Sequence, residues 1–293
     1  MRLGTFLPTY WTDYGTTTVR EAVEEAARAA EALGYASVWA NDHVIAPAHQ
    51  AGVGHIIEPL TTLASLIHLV PRVQLGTSAL VLPQRHAVLV AKQVAALDVL
   101  SGGRFILGVG VGWLEEEFGF LNADFARRGA VTDEAITAMR ALWSEPVASF
   151  HGRFYDFSDA VFFPKPRSGG VPLWVCGNTR PAIHRAARLG DAWNPFGIGL
   201  HDFTAGVAYL RALTQERPFP TIAAHLRIRI DPTGGPDAHL AGSVDAVTAE
   251  LDRYRQAGLN YLICDFVADD LDDLLRQMRV MAEQIMPTLA SRS

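Results

Sequence analysis

The chain has 293 residues, 49% of them hydrophobic and 19% charged, a balance that supplies material for a large core and excludes an intrinsically disordered protein. A formal net charge of −6, with only 25 Lys and Arg residues and no basic cluster, excludes a nucleic-acid footprint and leaves a small molecule as the expected partner. Two cysteines, Cys176 and Cys264, sit in apolar runs, no run reaches the length of a membrane span, and the start MRLGTFLPTYW lacks a signal-peptide core, so reduced thiols and a cytoplasmic location are expected.

In chain order, Arg2 to Leu7 reads as a strand, Thr18 to Leu33 as an amphipathic helix ended by Gly34, and Ala36 to Ala40 as a second strand. Helices Pro59 to Val70 and Val88 to Leu100 flank the strand Val73 to Thr77, and Arg104 to Val109 follows as a fourth strand. Thr132 to Trp143 is helical. The stretch Pro146 to Gly170 reads as a hairpin inserted before the strand Val171 to Cys176. Helix Ala182 to Leu189, the short strand Asp191 to Asn194 and helix Asp202 to Leu213 come next. Strand Thr221 to Ile230, helix Val244 to Ala257, strand Tyr261 to Phe266 and helix Leu271 to Met286 close the chain. Eight alternations with no edge-strand signature predict one α/β domain over residues 1–293, an eight-stranded parallel (β/α)8 TIM barrel with a hairpin insertion between the fourth and fifth βα units. The long loops Asn41 to Glu58 and Gly110 to Arg128 both follow strands, which puts the active face at the carboxyl ends of the strands.

Four strand ends could carry chemistry. At Asn41-Asp42-His43, a histidine beside an acid is either a proton donor or a structural histidine with Asp42 forming the turn. At Thr77-Ser78-Ala79 the side chains are small, which suits either a plain turn or the approach of a flat ring. The run Gly108-Val109-Gly110-Val111-Gly112 misses the spacing of a dinucleotide fingerprint and signals close approach to a ligand or a flexible strand exit. In Cys176-Gly177-Asn178-Thr179-Arg180-Pro181 a strand ends, a residue caps and a proline enters a first helical turn, so the helix start is a phosphate site or an ordinary cap. Asp98 and Arg104 are expected to pair across the LSGG turn, and Arg127 and Arg128 with Glu134 or the acidic loop. His68, His184, His225 and His239 have no companions at strand ends and read as structural. Asp42, His43, His55, Glu58 and His86 fit no standard metal spacing, so no metal is expected.

Taken with their order, the segments LGTFLP, ALGYASVWANDHV, LGTSALVLPQRHAVLVAKQVAALDVLSGGRFILGVGVGWLEEEF, VPLWVCGN with RAARLGDAW, and GLNYLICDF resemble the bacterial luciferase-like monooxygenase superfamily. The resemblance is to its coenzyme F420-dependent oxidoreductase branch. It implies a ring cofactor, F420 or alternatively FMN, at the carboxyl end of the barrel against a cis-peptide bulge at Ser78-Ala79. By position it gives Thr77, Cys176 and the Gly110-Val111-Gly112 backbone to the cofactor, Asp42 to the ring's polar edge, and Gly177, Asn178 and Thr179 to its phosphate. His43 would lie near the reacting atom as the catalytic residue. Trp113 stands where sugar-phosphate dehydrogenases of the family carry a glutamate. That departure implies a hydrophobic pocket built by Phe6, Tyr10, Trp11, Trp113, Trp193 and Phe196. The activity so implied is hydride transfer between F420 and a small hydrophobic substrate. The alternatives are an FMN monooxygenase fed by a partner reductase, a metal-dependent barrel hydrolase, and a flavin-binding protein without turnover. The apolar circumference of the helices Pro59 to Val70 and Val88 to Leu100 predicts a homodimer.

Overall fold

Eight parallel strands close on themselves: β1 (Arg2–Phe6), β2 (Ser37–Ala40), β3 (Gln74–Thr77), β4 (Phe105–Gly110), β5 (Leu173–Cys176), β6 (Ala192–Asn194), β7 (Thr221–Ile230) and β8 (Tyr261–Phe266). Each pairs with its neighbour in sequence, and β8 pairs with β1, which completes the barrel. The computed structural model describes residues 1–10, 17–214, 218–232 and 237–291. The helices that follow are α1 (Val19–Ala32), α2 (Pro59–Leu66), α3 (Ala87–Ser101), α4 (Arg128–Ser144), α5 (Arg180–Leu189), α6 (Leu200–Leu213), α7 (Val244–Gln256) and α8 (Leu271–Val280). None of the described helices is long and apolar enough to cross a membrane.

Local chemistry sets the boundaries. Thr18 caps α1 by accepting the Glu21 amide while the Glu21 carboxylate accepts the Thr18 amide, a reciprocal capping box. Gly102, at φ 75°, ends α3 in the left-handed region that side chains avoid. Alternation along the strands then fills the barrel. Phe6, Trp39, Ile106, Trp174, Ala192, Ala223, Tyr261 and Ile263 form one buried interior cluster. Trp39 and Trp174 lie 4.8 Å apart, and Tyr261 meets Trp174 edge-on at 4.8 Å. A Cβ on Gly76 would come within 2.4 Å of the Trp39 ring, so glycine there is a packing requirement. These rings fill the barrel's interior, and in such barrels ligands are received at the carboxyl mouth.

The insertion is an antiparallel hairpin, Ala148–His151 with Asp156–Ala160, between α4 and β5. Glu134 on α4 holds its turn by accepting the amides of Arg153, Phe154 and Tyr155 at 3.0, 2.6 and 2.8 Å. Of the expected partners for Arg127 and Arg128, Glu134 is thereby taken by the hairpin, and the acidic loop supplies one: Arg127 pairs with Asp124, while the Arg128 guanidinium lies 3.8 Å over the Phe125 ring. Asp98 and Arg104 do not pair either. Arg104 donates to the carbonyls of Ile67, Val70, Val73 and Ser101, and Asp98 accepts the Arg167 amide. Carbonyls that follow α2 and the one that ends α3 hold the guanidinium, and the Asp98 carboxylate is taken by the Arg167 amide.

Candidate active site

At the carboxyl ends of the strands the loop after β2 reaches Tyr10 and Glu117, and the peptide Ser78–Ala79 between β3 and the short strand Leu80–Val81 is cis. Leu80 and Val81 rejoin the sheet beside Val109 and Gly110, so the chain leaves the barrel wall only at Ser78 and Ala79. The surrounding residues are small. A Cβ on Gly110 would sit 3.1 Å from that of Ala79, and one on Gly108 would sit 1.9 Å from the Thr77 carbonyl oxygen and 3.5 Å from Cys176 Sγ. Thr77 donates to the Gly108 carbonyl at 2.8 Å and accepts the Gly108 amide at 3.0 Å. Its hydroxyl is therefore committed to the wall. Gly112 has φ 79°, and its missing Cβ leaves room for Phe118 and Val81 at 2.7 Å.

Asp42 and His43 belong to separate networks. Asp42 is buried and accepts a bidentate pair from Arg85 at 2.5 and 2.7 Å and the Val81 amide at 2.8 Å. Burial pushes its carboxyl up, against the pull of Arg85. The carboxylate clamps the strand that follows the cis peptide. His43 Nδ1 lies 3.0 Å from Oε2 of buried Glu117, whose Oε1 accepts the amides of Val44 and Ile45 at 2.6 and 3.3 Å. Burial pushes the Glu117 carboxyl up, yet the hydrogen bonds from His43 and the Val44 amide outweigh it and hold the group below its ordinary value. An ionised Glu117 fixes the proton of a neutral imidazole on Nδ1 and leaves Nε2 as the nitrogen available to a ligand. Trp113 stands edge-on to the His43 ring at 5.8 Å. The Glu117 partnership was invisible in the sequence, because 74 residues separate it from His43 and three consecutive acids compete for the role; helical phase in Glu115–Phe120 turns only the third inward.

The expected aromatic pocket divides. Tyr10, Trp113 and Phe196 are 37%, 58% and 48% exposed around the mouth, and Val44 and Ile45, which the sequence reading missed, join them. Trp193 is a correction: it is wholly buried, stacks on Phe203 at 5.9 Å and donates to the Gly177 carbonyl at 2.9 Å. Phe6 is buried too, at the top of the interior cluster, and Trp11 lies outside the described residues. At the start of α5, Asn178 exchanges two hydrogen bonds with the Phe196 backbone, and Thr179 accepts the Ala182 amide as a cap. Both side chains are spoken for, so a phosphate there would depend on backbone amides and on Gly177, whose φ of 133° excludes a side chain. Cys176 accepts from Asn194 at 3.5 Å, and burial pushes its thiol up to about 12, which makes it a neutral floor. His225, expected to be merely structural, reaches Ser78 Oγ at 3.2 Å, and is the principal site-lining residue that strand-end reasoning overlooked. It lies mid-strand because β7 runs past the mouth. Among the described residues, no three His, Cys, Asp or Glu side chains gather as a metal site.

The whole is a closed α/β barrel with small residues at a cis bulge, a packed interior and an apolar mouth. The sequence profile of the luciferase-like monooxygenases matches residues 1–255, and the chain belongs to that family. It is 33% identical over 178 residues to the F420-dependent glucose-6-phosphate dehydrogenase of Amycolatopsis mediterranei, covering 59% of this chain and 52% of that one. The crystal structure of the monooxygenase RslO1 from Streptomyces bottropensis superposes with a TM-score of 0.85 at 22% identity, over 98% of this chain and 99% of that one. The oxygenating constituent of the 3,6-diketocamphane monooxygenase of Pseudomonas putida, in complex with FMN, gives 0.81 at 15% identity over 98% of each chain. The two structures establish the shared fold.

Proposed function

We propose that the chain transfers a hydride between coenzyme F420 and a small hydrophobic substrate at the carboxyl mouth of the barrel. The observation that carries this reading is the buried Glu117–His43 pair at the rim of a floor made of Ser78, Ala79, Gly110 and Cys176. A flat ring fits that floor, because no side chain in it exceeds a serine or a cysteine and a Cβ on Gly110 would stand 3.1 Å from that of Ala79; beside Ser78 and Cys176 the buried Asn194 Oδ1 has no hydrogen-bond partner among the described residues. The bound cofactor would supply the hydride chemistry. The protein's residues do the rest. His43, held by Glu117, offers Nε2 to give or take the proton that accompanies hydride movement. Tyr10, Val44, Ile45, Trp113 and Phe196 present an apolar rim that favours an uncharged substrate and excludes water from the reacting face.

The likeness to an F420-dependent dehydrogenase at 33% identity supports F420. The likeness to a flavin-bound monooxygenase favours FMN as the alternative, in which a partner reductase would deliver reduced flavin and O2 would take part. Fluorescence titration of the full chain with each cofactor tests both readings. Quenching of F420 at micromolar concentration with no FMN response supports the first, and the converse supports the second. No response from either removes the function proposed. His43→Ala is expected to leave the Kd of the bound cofactor within about threefold while lowering turnover of any identified substrate by about 100-fold or more.

A further inference from the structure

Beneath the Ser78–Ala79 peptide lies a second polar cluster, on the β6 to β8 side of the barrel, that the proposed chemistry does not use. His225 on β7, Asn194 on β6 and Ser78 are all more than nine-tenths buried. Asn194 Nδ2 donates to Ser78 Oγ at 3.0 Å, and the same Oγ lies 3.2 Å from His225 Nδ1. The imidazole stacks on Phe6 at 4.7 Å and meets Phe196 edge-on at 4.7 Å, which fixes its plane. Its Nε2 faces Asp265 Oδ2 on β8 at 3.5 Å, beyond good hydrogen-bond contact.

A serine hydroxyl has one hydrogen and two lone pairs. Asn194 fills one lone pair. A neutral imidazole that accepts at Nδ1 takes the hydrogen, and Ser78 then has no hydrogen to donate to a ligand, only its second lone pair. An imidazolium donates from Nδ1 instead, fills the second lone pair and forces the Ser78 hydrogen to turn away. We infer that His225 is a positioning residue whose charge state sets the direction of the Ser78 hydroxyl, protonation making Ser78 a hydrogen-bond donor to an acceptor atom of the ring over Ser78–Ala79. The inference rests on the ring site proposed above.

The charged and titratable groups facing His225 come from each neighbouring element. Asp265 brings a carboxylate from β8, and Arg227 on β7 itself lies 3.8 Å from that carboxylate. His239 precedes the strand Leu240–Gly242 and accepts the Arg227 amide; burial, then Arg227 and His225, push its value down. Cys176 on β5, behind Asn194, stays a neutral thiol. The comparison therefore needs a control that keeps every one of these groups and the cofactor unchanged.

The Ser78→Ala variant is that control, since it removes one oxygen and no stacked ring. Dissociation constants for F420, or for FMN if FMN is the one that binds, are compared for the full chain and for Ser78→Ala at about pH 6 and about pH 8, on either side of the ordinary imidazole value. Relative to the variant, the unaltered chain should gain about three- to tenfold in affinity on going to the lower pH, the worth of one hydrogen bond. Long-range 1H–15N spectra of the histidine rings at the higher pH should show His225 protonated on Nε2, and Ser78→Ala should perturb its Nδ1 signal. Equal pH ratios in the two proteins, or a proton on Nδ1 at the higher pH, overturn the inference while leaving cofactor binding in place. A chain that binds neither FMN nor F420 overturns the ring site and this inference together.

Discussion

Asp42 and His43 are adjacent in sequence and separate in purpose. The Asp42–Arg85 pair has side-chain exposures of 0% and 15%, so Arg85→Ala strands a buried carboxylate and should destabilise the fold by about 3–5 kcal/mol in urea denaturation. Glu117 gives a pH signature of the opposite kind. Its carboxyl lies below its ordinary value of 4.5 in the folded chain, so its contribution is complete above that value and is lost as pH falls through the folded one. Stability of the unaltered chain should therefore drop more steeply below about pH 4.5 than that of Glu117→Gln, as followed by denaturation at a series of pH values. A parallel drop in both proteins would contradict the assignment. The sequence made His43 legible as a candidate, because a histidine at a strand's carboxyl end beside a long loop stands out. It could not show Glu117 or His225, whose meaning comes from partners 74 and 147 residues away.

At the scale of elements, the glycine run at the end of β4 serves two ends. Gly110 keeps the bulge accessible, while Gly108 is needed by the wall itself. Gly108→Ala would drive a Cβ to 1.9 Å from the Thr77 carbonyl oxygen, and should cost about 3 kcal/mol or more, measured as a lower urea midpoint with loss of cofactor binding. Near-native stability in that variant would show that β3 and β4 separate more easily than their shared Thr77 hydrogen bonds imply. The eight strands were legible because β-branched and aromatic runs alternate with amphipathic helices. Leu80–Val81, Leu240–Gly242 and the turn of helix Glu115–Phe120 were not, since two- to six-residue elements carry too few side chains to set a period.

For the whole molecule, the outer face of α3 leaves Leu89, Val99 and Leu100 exposed, and Lys92 on the same helix donates to the Phe163 carbonyl beside an exposed Phe163 ring. A homodimer covering this face is the expected assembly. Sedimentation at micromolar concentration should give a dimer, and Leu89→Glu with Leu100→Glu should give a folded monomer; a monomeric unaltered chain would sink the idea. The sequence by itself determined the barrel, the place of the hairpin and the mouth that carries the site, because these follow from local periodicity and loop length. Tertiary structure alone decided which polar side chains serve the mouth and which serve the wall. Asp42 is held by Arg85 and Val81, Thr77 by Gly108 and Trp193 by Gly177, while Asn178 is held by the Phe196 loop, Glu117 by His43 and His225 by Ser78. A buried polar group is assigned by whichever partner the closed barrel brings within about 3 Å, and that distance is set by neighbours far away in the chain.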